Sequence, residues 1–193
     1  MAEPKPFDRA TLHQAFERLG ELAWTVGKIV EISVYGGSAL VLTTDFRVGT
    51  QDVDAVFEGD RDFVRRASAT VAEEFGWEPD WLNDGVKGFL SARDGSVDAK
   101  RLFRTYPSEN EPGLRVLVAT PAYLFAMKCL AMRAGGTEHA GDVTDIRRLG
   151  AELGITSAPA ALTAVSRYYP LERLPPKTQF GIEEIFGGPV GSK

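Results

Sequence analysis

Cysteines, histidines and long apolar runs are scarce in this sequence. Cys129 is the only cysteine, which excludes an intramolecular disulfide and the cysteine pairs that hold zinc or an iron–sulfur cluster. The two histidines lie far apart in the sequence and indicate neither a metal cluster nor a catalytic triad. No stretch approaches the roughly 18 apolar residues of a membrane-spanning helix, and the N-terminal residues are polar and amphipathic. These absences predict a cytoplasmic protein that does not associate with membranes.

Positive charge is also in short supply. The chain has 22 Lys and Arg residues against 27 Asp and Glu residues, which gives a net charge of -5. General polyanion binders are more basic, so the net charge gives no support for nucleic-acid binding, although a local basic patch stays open. The glycine-rich signatures of P-loop and dinucleotide-binding proteins are missing. With 193 residues, 44% of them hydrophobic, the chain has the composition of one globular domain, with or without a small helical appendage.

The hydrophobic pattern predicts an α/β first part followed by an all-helical part. Helices are predicted at 7–26, 38–44, 61–75, 121–133, 139–154, 157–169 and 176–186, strands at 28–35, 52–57 and 114–119, and weaker strands at 86–92 and 99–104. Asp8 is a predicted helix cap, and Thr120-Pro121 is typical of a helix start. We therefore predict an α/β core over 1–119, a helical subdomain over 120–186 packed on it, and a flexible tail over 187–193.

Two short motifs carry the chemistry. Gly36-Gly37-Ser38 follows the first predicted strand, and thirteen residues separate Ser38 from Asp52-Val-Asp54 at the start of the next. Alternate residues of a strand point to one face, with Cα atoms about 6.6 Å apart, so Asp52 and Asp54 can share one or two hard cations. Mg²⁺ accepts such a site because it combines a few carboxylate oxygens with water and phosphate oxygens.

The glycine motif predicts a phosphate site beside these carboxylates. Gly36 and Gly37 let the backbone approach a ligand closely, and the following helix would direct amide groups and a positive dipole end at phosphates. Ser38 adds a hydroxyl donor, and Arg47 adds a positive charge. The alternative interpretation is a tight turn with Ser38 as a helix cap and a solvated pair of aspartates.

These residues resemble a known family. The segments Tyr35-Gly-Gly-Ser38 and Asp52-Val-Asp-Ala are similar to the signature of nucleotidyltransferases of the polymerase-beta-like superfamily. The predicted helix that carries Lys128, followed by Asp142-Val-Thr-Asp145, resembles the Lys-helix and Asp-x-x-Asp segment of AbiEii-type nucleotidyltransferases, which are toxins of type IV toxin–antitoxin systems. The resemblance covers roughly residues 29–150.

The resemblance implies a fold, an activity and roles for residues. The fold would be a nucleotidyltransferase α/β (α+β) fold, with a small mixed sheet flanked by helices and a C-terminal helical part. The activity would be transfer of a nucleoside monophosphate from an NTP to a hydroxyl, with tRNA ends as one acceptor class and a cognate antitoxin as a partner. Asp52 and Asp54 would hold Mg²⁺, Gly36, Gly37, Ser38 and Arg47 would hold the triphosphate, and Lys128 would contact its phosphates and assist catalysis.

One departure from the family pattern keeps other functions open. Many members carry a third carboxylate, suited to act as general base, on a neighbouring strand. The predicted strand 114–119 has none, and Asp84 and Asp98 are the available substitutes. A catalytically silent binding module for a nucleotide or a partner protein is therefore an alternative. Transfer to a small hydroxylated molecule such as an antibiotic is another.

The Lys128 helix also has a second interpretation. Lys128 can bury its stem and keep its ammonium group in water. Asp142 and Asp145 can form helix-surface ion pairs with Arg147 and Arg148, and we favour this structural interpretation for these four residues.

Overall fold

The computed structural model describes residues 6–132 and 140–187. These residues form two compact units. The first takes residues 6–88 and 100–119, and the second takes 89–99 together with the described residues from 120 onwards. The chain thus passes between the units at residue 119, where the sequence predicts a boundary, and also at both ends of 89–99, which the sequence analysis assigns to the core.

The first unit contains a five-stranded mixed sheet. Its strands are β1 (Val30–Val34), β2 (Val53–Glu58), β3 (Leu82–Asn83), β4 (Lys100–Pro107) and β5 (Pro112–Ala119), in the order β3-β2-β1-β5-β4. β1 runs antiparallel to β2 and parallel to β5, β3 runs parallel to β2, and β4 runs antiparallel to β5. The small mixed sheet with flanking helices confirms the α/β (α+β) class.

The described residues of this unit contain three α-helices, which are α1 (Arg9–Thr25), α2 (Gly36–Thr43) and α3 (Arg61–Phe75). The predicted cap of α1 is confirmed, because Asp8 accepts a hydrogen bond from the Thr11 amide at 2.8 Å. α1 packs on β4 and β5 through a fully buried apolar face. Asp60 caps α3, and Gly76 ends it with a left-handed φ of 71°.

Helices make up most of the described second unit: α4 (Pro121–Ala131), α5 (Ala140–Glu152), α6 (Ala158–Ser166) and α7 (Pro176–Phe186). Thr120 caps α4 before Pro121, as predicted, and Ser157 caps α6. α4 contacts α5, α6 and α7, and its side chains are mostly buried. None of the helices in the described ranges is long and apolar enough to cross a lipid bilayer.

Two sequence predictions are corrected. The weak strand predicted at 86–92 is wrong, since Gly85–Phe89 forms a 3₁₀ helix in which the Lys87 amide bonds to the Asp84 carbonyl oxygen. Glycines at 85 and 88 interrupt the alternation that a strand needs. The helix predicted at 121–133 ends at Ala131, and its expected terminus at 133 and the tail from 188 onwards lie outside the described residues.

Candidate phosphate and metal site

The antiparallel pairing of β1 and β2 brings the two sequence motifs together. Val34 pairs with Ala55 at the end of β1. One residue further on, the Tyr35 amide donates a hydrogen bond to the Asp54 carbonyl oxygen at 2.9 Å. The chain then enters α2 at Gly36, so the start of this helix lies beside the start of β2.

Gly36 makes the closest approach between the motifs. Its φ is +60°, in the left-handed region that disfavours every residue with a Cβ atom. A Cβ atom added there would lie 2.8 Å from Oδ2 of Asp54, closer than side-chain carbons approach oxygen in proteins. The backbone conformation therefore favours glycine at this position, and the Asp54 carboxylate would have to move to admit a Cβ atom.

The two aspartates flank a buried residue. Val53 is fully buried, whereas Asp52, just before β2, is exposed and Asp54 is half-buried, the pattern expected of alternate residues on one face. Asn83 donates a hydrogen bond from Nδ2 to Oδ2 of Asp52 at 3.1 Å, and its Oδ1 accepts one from the Gly85 amide at 2.9 Å. The Asn83 amide therefore orients Asp52.

The N-terminus of α2 offers donors for an anion. Tyr35 at the N-cap makes no side-chain capping hydrogen bond, and the first turn contains no acidic residue. Gly36 and Gly37 are half-exposed there. The Arg47 side chain lies alongside: its Nε donates to the Gly49 carbonyl oxygen, and its Nη2 is 3.6 Å from the position that a Cβ of Gly37 would take. Amide groups, a helix dipole and a guanidinium thus meet at one place.

Ser38 lies in this helix turn but points into the protein. It is 1% exposed, and its hydroxyl donates to the Tyr35 carbonyl oxygen at 2.9 Å. Contact between this hydroxyl and a phosphate stays a prediction, and it would require the bond to Tyr35 to break.

The carboxylate oxygens of Asp52 and Asp54 are of the type that binds Mg²⁺. Within residues 6–132 and 140–187, no three His, Cys, Asp or Glu side chains converge as a metal-binding group. Mg²⁺ is characteristically held by only one or two carboxylates, with water and phosphate oxygens completing its octahedron. Two carboxylates beside a helix N-terminus that can bind phosphate match that requirement.

The two candidates for a third carboxylate belong to different units. Asp84 lies in the first unit, next to Asn83, where it pairs with Lys87 and, at 3.5 Å, with Arg65. The hydrogen bond from Lys87 holds the pKa of Asp84 below its usual range, which makes this carboxylate a weak proton acceptor. Asp98 belongs to the second unit, where its carbonyl oxygen accepts hydrogen bonds from Thr120 and Tyr168.

Sequence reasoning missed Asn83. Its Cα pairs with that of Asp54 across β2 and β3, at a position where a neighbouring strand presents a side chain to the aspartate pair. The signal was present in Trp81-Leu-Asn-Asp84, an apolar pair followed by polar residues, but a two-residue strand leaves almost no period to detect.

Lys128 belongs to the second unit and is held by two carboxylates. Its Nζ lies 2.9 Å from Oδ1 of Asp142 and 2.8 Å from Oδ2 of Asp145. The side chains of Lys128 and Asp145 are only 12% and 3% exposed, whereas Asp142 is 42% exposed. The two aspartates therefore pair with Lys128 across α4 and α5, and the predicted contact of Lys128 with phosphate stays a prediction.

In comparisons with known proteins, no family model, curated sequence or solved structure matches this chain. The chemistry of the site is therefore inferred from its own residues.

Proposed function

We propose that this protein transfers a nucleoside monophosphate from an NTP to a hydroxyl group, with Mg²⁺ bound by Asp52 and Asp54. The observation that carries the proposal is the approach of Gly36 to Asp54, because it places the N-terminus of α2, where Tyr35 makes no side-chain capping hydrogen bond, beside a carboxylate of the aspartate pair. A phosphate site and a magnesium site that share one edge are what nucleotidyl transfer needs. The sequence resemblance to polymerase-beta-like nucleotidyltransferases supports the same reaction.

The proposed reaction is a single displacement at phosphorus. The oxygen of the acceptor hydroxyl forms a bond to the α-phosphorus, and the bond from that phosphorus to the oxygen bridging to the β-phosphate breaks. Pyrophosphate leaves with the electron pair of the broken bond, and the hydroxyl proton passes to solvent water. Bound Mg²⁺ supplies neutralisation of phosphate charge and a fixed orientation of phosphate oxygens.

The residues of the chain contribute position and charge. The amides at the start of α2 donate to phosphate oxygens, and Arg47 adds a guanidinium that can pair with them. Asn83 holds the Asp52 carboxylate by a hydrogen bond, so the Asp52 side chain loses little conformational entropy when the substrate binds. Preorganised groups of this kind stabilise the charge that develops in the transition state.

The reaction admits two acceptor classes, the end of a tRNA and a small hydroxylated molecule. The resemblance alone supports tRNA, the toxin role and a cognate antitoxin. The contact of Lys128 with the phosphates stays a prediction of the resemblance, and its ammonium group pairs with Asp142 and Asp145.

The test is an assay of transfer with matched aspartate variants. Purified protein is incubated with Mg²⁺, each α-labelled NTP in turn, and either total tRNA or a mixture of amino sugars, and label on the acceptor and free pyrophosphate are both measured. Asp52→Asn and Asp54→Asn should each lower transfer by at least about 100-fold. Asp45→Asn is the control, since Asp45 is a 99% exposed carboxylate of the same unit and should leave transfer unchanged.

Two outcomes would overturn the proposal. Nucleotidyl transfer that persists in the Asp54→Asn variant would refute the proposed binding of Mg²⁺ by Asp54. Tight NTP binding with neither label transfer nor pyrophosphate for any acceptor would instead favour the catalytically silent binding module.

A further inference from the structure

The helix that begins at the proposed phosphate site ends without the usual stabilising features. The C-cap of α2 is Thr44, whose backbone is extended, with φ −129° and ψ 159°, whereas α3 ends at Gly76 in the left-handed conformation. The last turn of α2, residues 40–43, contains only leucine, valine and threonine. Neither a glycine cap nor a local cation therefore stabilises the carbonyl groups at this end.

Arg9, the first residue of α1, binds these carbonyl groups from outside the helix. Its Nε donates to the Val41 carbonyl oxygen at 2.9 Å, and its Nη2 donates to the Thr44 carbonyl oxygen at 2.6 Å. The planar guanidinium thus holds two carbonyl groups at once, and its charge faces the negative end of the helix dipole. Nη2 also lies 3.2 Å from Oδ1 of Asp45, but this carboxylate is 99% exposed, so the ion pair contributes little.

The connection that starts at Thr44 leads to the phosphate site. Residues 44–51 join α2 to the aspartate pair, and Arg47 lies in their middle. At the far end of the connection, Phe7 and Thr50 exchange two backbone hydrogen bonds of 2.7 and 3.0 Å. Phe7 and Arg9 thus hold the two ends of the connection that carries the Arg47 guanidinium.

The far end of the connection also packs on the first turn of α2. The Thr50 hydroxyl donates to the Asp52 carbonyl oxygen at 3.1 Å, and its oxygen lies 2.8 Å from the position that a Cβ of Gly37 would take. Because this end is held by backbone bonds and by packing, the bonds from Arg9 at Thr44 are the contacts of the connection that a side-chain replacement can remove.

We propose that Arg9 is a positioning residue for phosphate binding, which fixes the connection 44–50 and so directs the Arg47 guanidinium towards phosphates at the start of α2. The inference rests on the proposed function, because it assumes a triphosphate at that helix end. α2 has eight residues, so at about 1.5 Å per residue its two ends lie about 12 Å apart. Arg9 therefore acts through Arg47 and not by contact with the substrate.

The test is a binding measurement with inorganic tripolyphosphate and Mg²⁺, made by isothermal titration calorimetry. This probe carries neither a base nor an acceptor, so it reports the phosphate site alone. Arg9→Met should weaken binding about five- to tenfold, because the Arg47 side chain must then be ordered when the phosphates bind. Arg9→Lys should lose less, since its ammonium group keeps the charge at the helix end but lacks the fork that holds two carbonyl groups.

Two control variants separate this role from loss of charge. Arg18→Met removes another arginine of α1, which pairs with Glu21 of α1 and Glu74 of α3, and it should leave the tripolyphosphate affinity unchanged. Asp45→Asn removes the ion pair of Arg9 and keeps both carbonyl contacts, so it should also bind tripolyphosphate as the wild-type chain does.

A double-mutant cycle with Arg47 tests how Arg9 acts. In an Arg47→Met background, Arg9→Met should weaken tripolyphosphate binding by no more than about twofold, because the side chain that it positions is gone. The same cycle with Arg9→Lys gives this comparison in a variant that keeps the charge. In the transfer assay, Arg9→Met should raise KM for the NTP about five- to tenfold and leave kcat within about twofold, the pattern of binding lost equally in the ground and transition states.

The outcomes separate this inference from the proposed function. Unchanged tripolyphosphate binding in Arg9→Met, or an equal loss in both Arg47 backgrounds together with a lower Tm, would overturn the positioning role and leave the proposed function standing. Coupled losses without nucleotidyl transfer from any NTP would support the positioning role and refute the proposed function. A wild-type chain that binds no tripolyphosphate would overturn both.

Discussion

Replacing Gly36 by alanine tests the contact on which the candidate site depends. Two costs arise in the folded state. An alanine at φ +60° costs about 1–2 kcal/mol relative to glycine. Its Cβ atom would also lie 2.8 Å from Oδ2 of Asp54, so the carboxylate must leave its rotamer, at about 0.5–1.5 kcal/mol. The free energy of unfolding should therefore fall by about 2–3 kcal/mol.

Gly59→Ala provides a matched control for the backbone cost. Gly59 has a φ of +75°, and a Cβ atom added there would meet nothing within 4 Å. The change in unfolded-chain entropy is the same for both glycines and cancels in the comparison. Gly59→Ala should therefore cost only the backbone part, and Gly36→Ala should cost about 1 kcal/mol more.

A double-mutant cycle assigns this excess to Asp54. In an Asp54→Ala background the two nearest atoms, Oδ2 and Cγ, are gone, and the closest remaining one is Cβ at 3.8 Å, an ordinary contact. Gly36→Ala should then cost no more than Gly59→Ala. Urea unfolding of the single and double variants gives the coupling free energy, which should be about 1 kcal/mol.

The same variants report on function. Gly36→Ala should lower nucleotidyl transfer at least about tenfold because it displaces a proposed metal ligand, and Gly59→Ala should not. A Gly36→Ala variant no less stable than Gly59→Ala, or a coupling free energy near zero, would refute the packing of Gly36 against the Asp54 carboxylate.

Two further predictions concern ion pairs. Lys128→Met should lower the free energy of unfolding by about 3 kcal/mol, because the buried Asp145 loses its cation. Asp142→Asn should lower it by about 1 kcal/mol or less, because Asp142 is more exposed. Equal losses of the two variants in urea unfolding would contradict this prediction. The hydrogen bond from Lys28 lowers the pKa of Asp60 below its ordinary 3.8. The ionised Asp60 therefore contributes its full stabilisation above pH 3.8, and this stabilisation is lost as the pH falls through the lower pKa of the folded state. In the Asp60→Asn variant, Tm should consequently fall less steeply as the pH is lowered.

The sequence predicted those elements whose signals are local. α3 runs from Arg61 to Phe75 as predicted, because its apolar period, the Asp60 cap and the left-handed Gly76 all lie within one stretch of chain. β3 was not predicted as a strand of definite bounds, since two residues give no alternation. Its place in the sheet depends on pairing with β2, a contact between distant residues.

The candidate site also contains contacts that the sequence predicted and contacts that it did not. The strand and glycine patterns predicted that the glycine motif and the aspartate pair would lie side by side, and the antiparallel pairing of β1 and β2 brings Gly36 and Asp54 together. The Asn83 contact with Asp52 and the pairing of Lys128 with two aspartates were not predicted. Each joins side chains more than ten residues apart, where no period or cap in the sequence indicates the partner.

The start of α2 departs from the local rules that its neighbours follow. α1 and α3 begin with aspartate caps at Asp8 and Asp60, whereas α2 begins at Tyr35 without a side-chain cap and opens with two glycines, which are poor helix formers. The helix is stabilised instead by burial, because Ser38 and the four residues that follow it are all buried. An anion bound at Gly36 and Gly37 would accept hydrogen bonds from the amides that a capping residue satisfies elsewhere. The weak local helix signal and the proposed phosphate site thus have one physical origin.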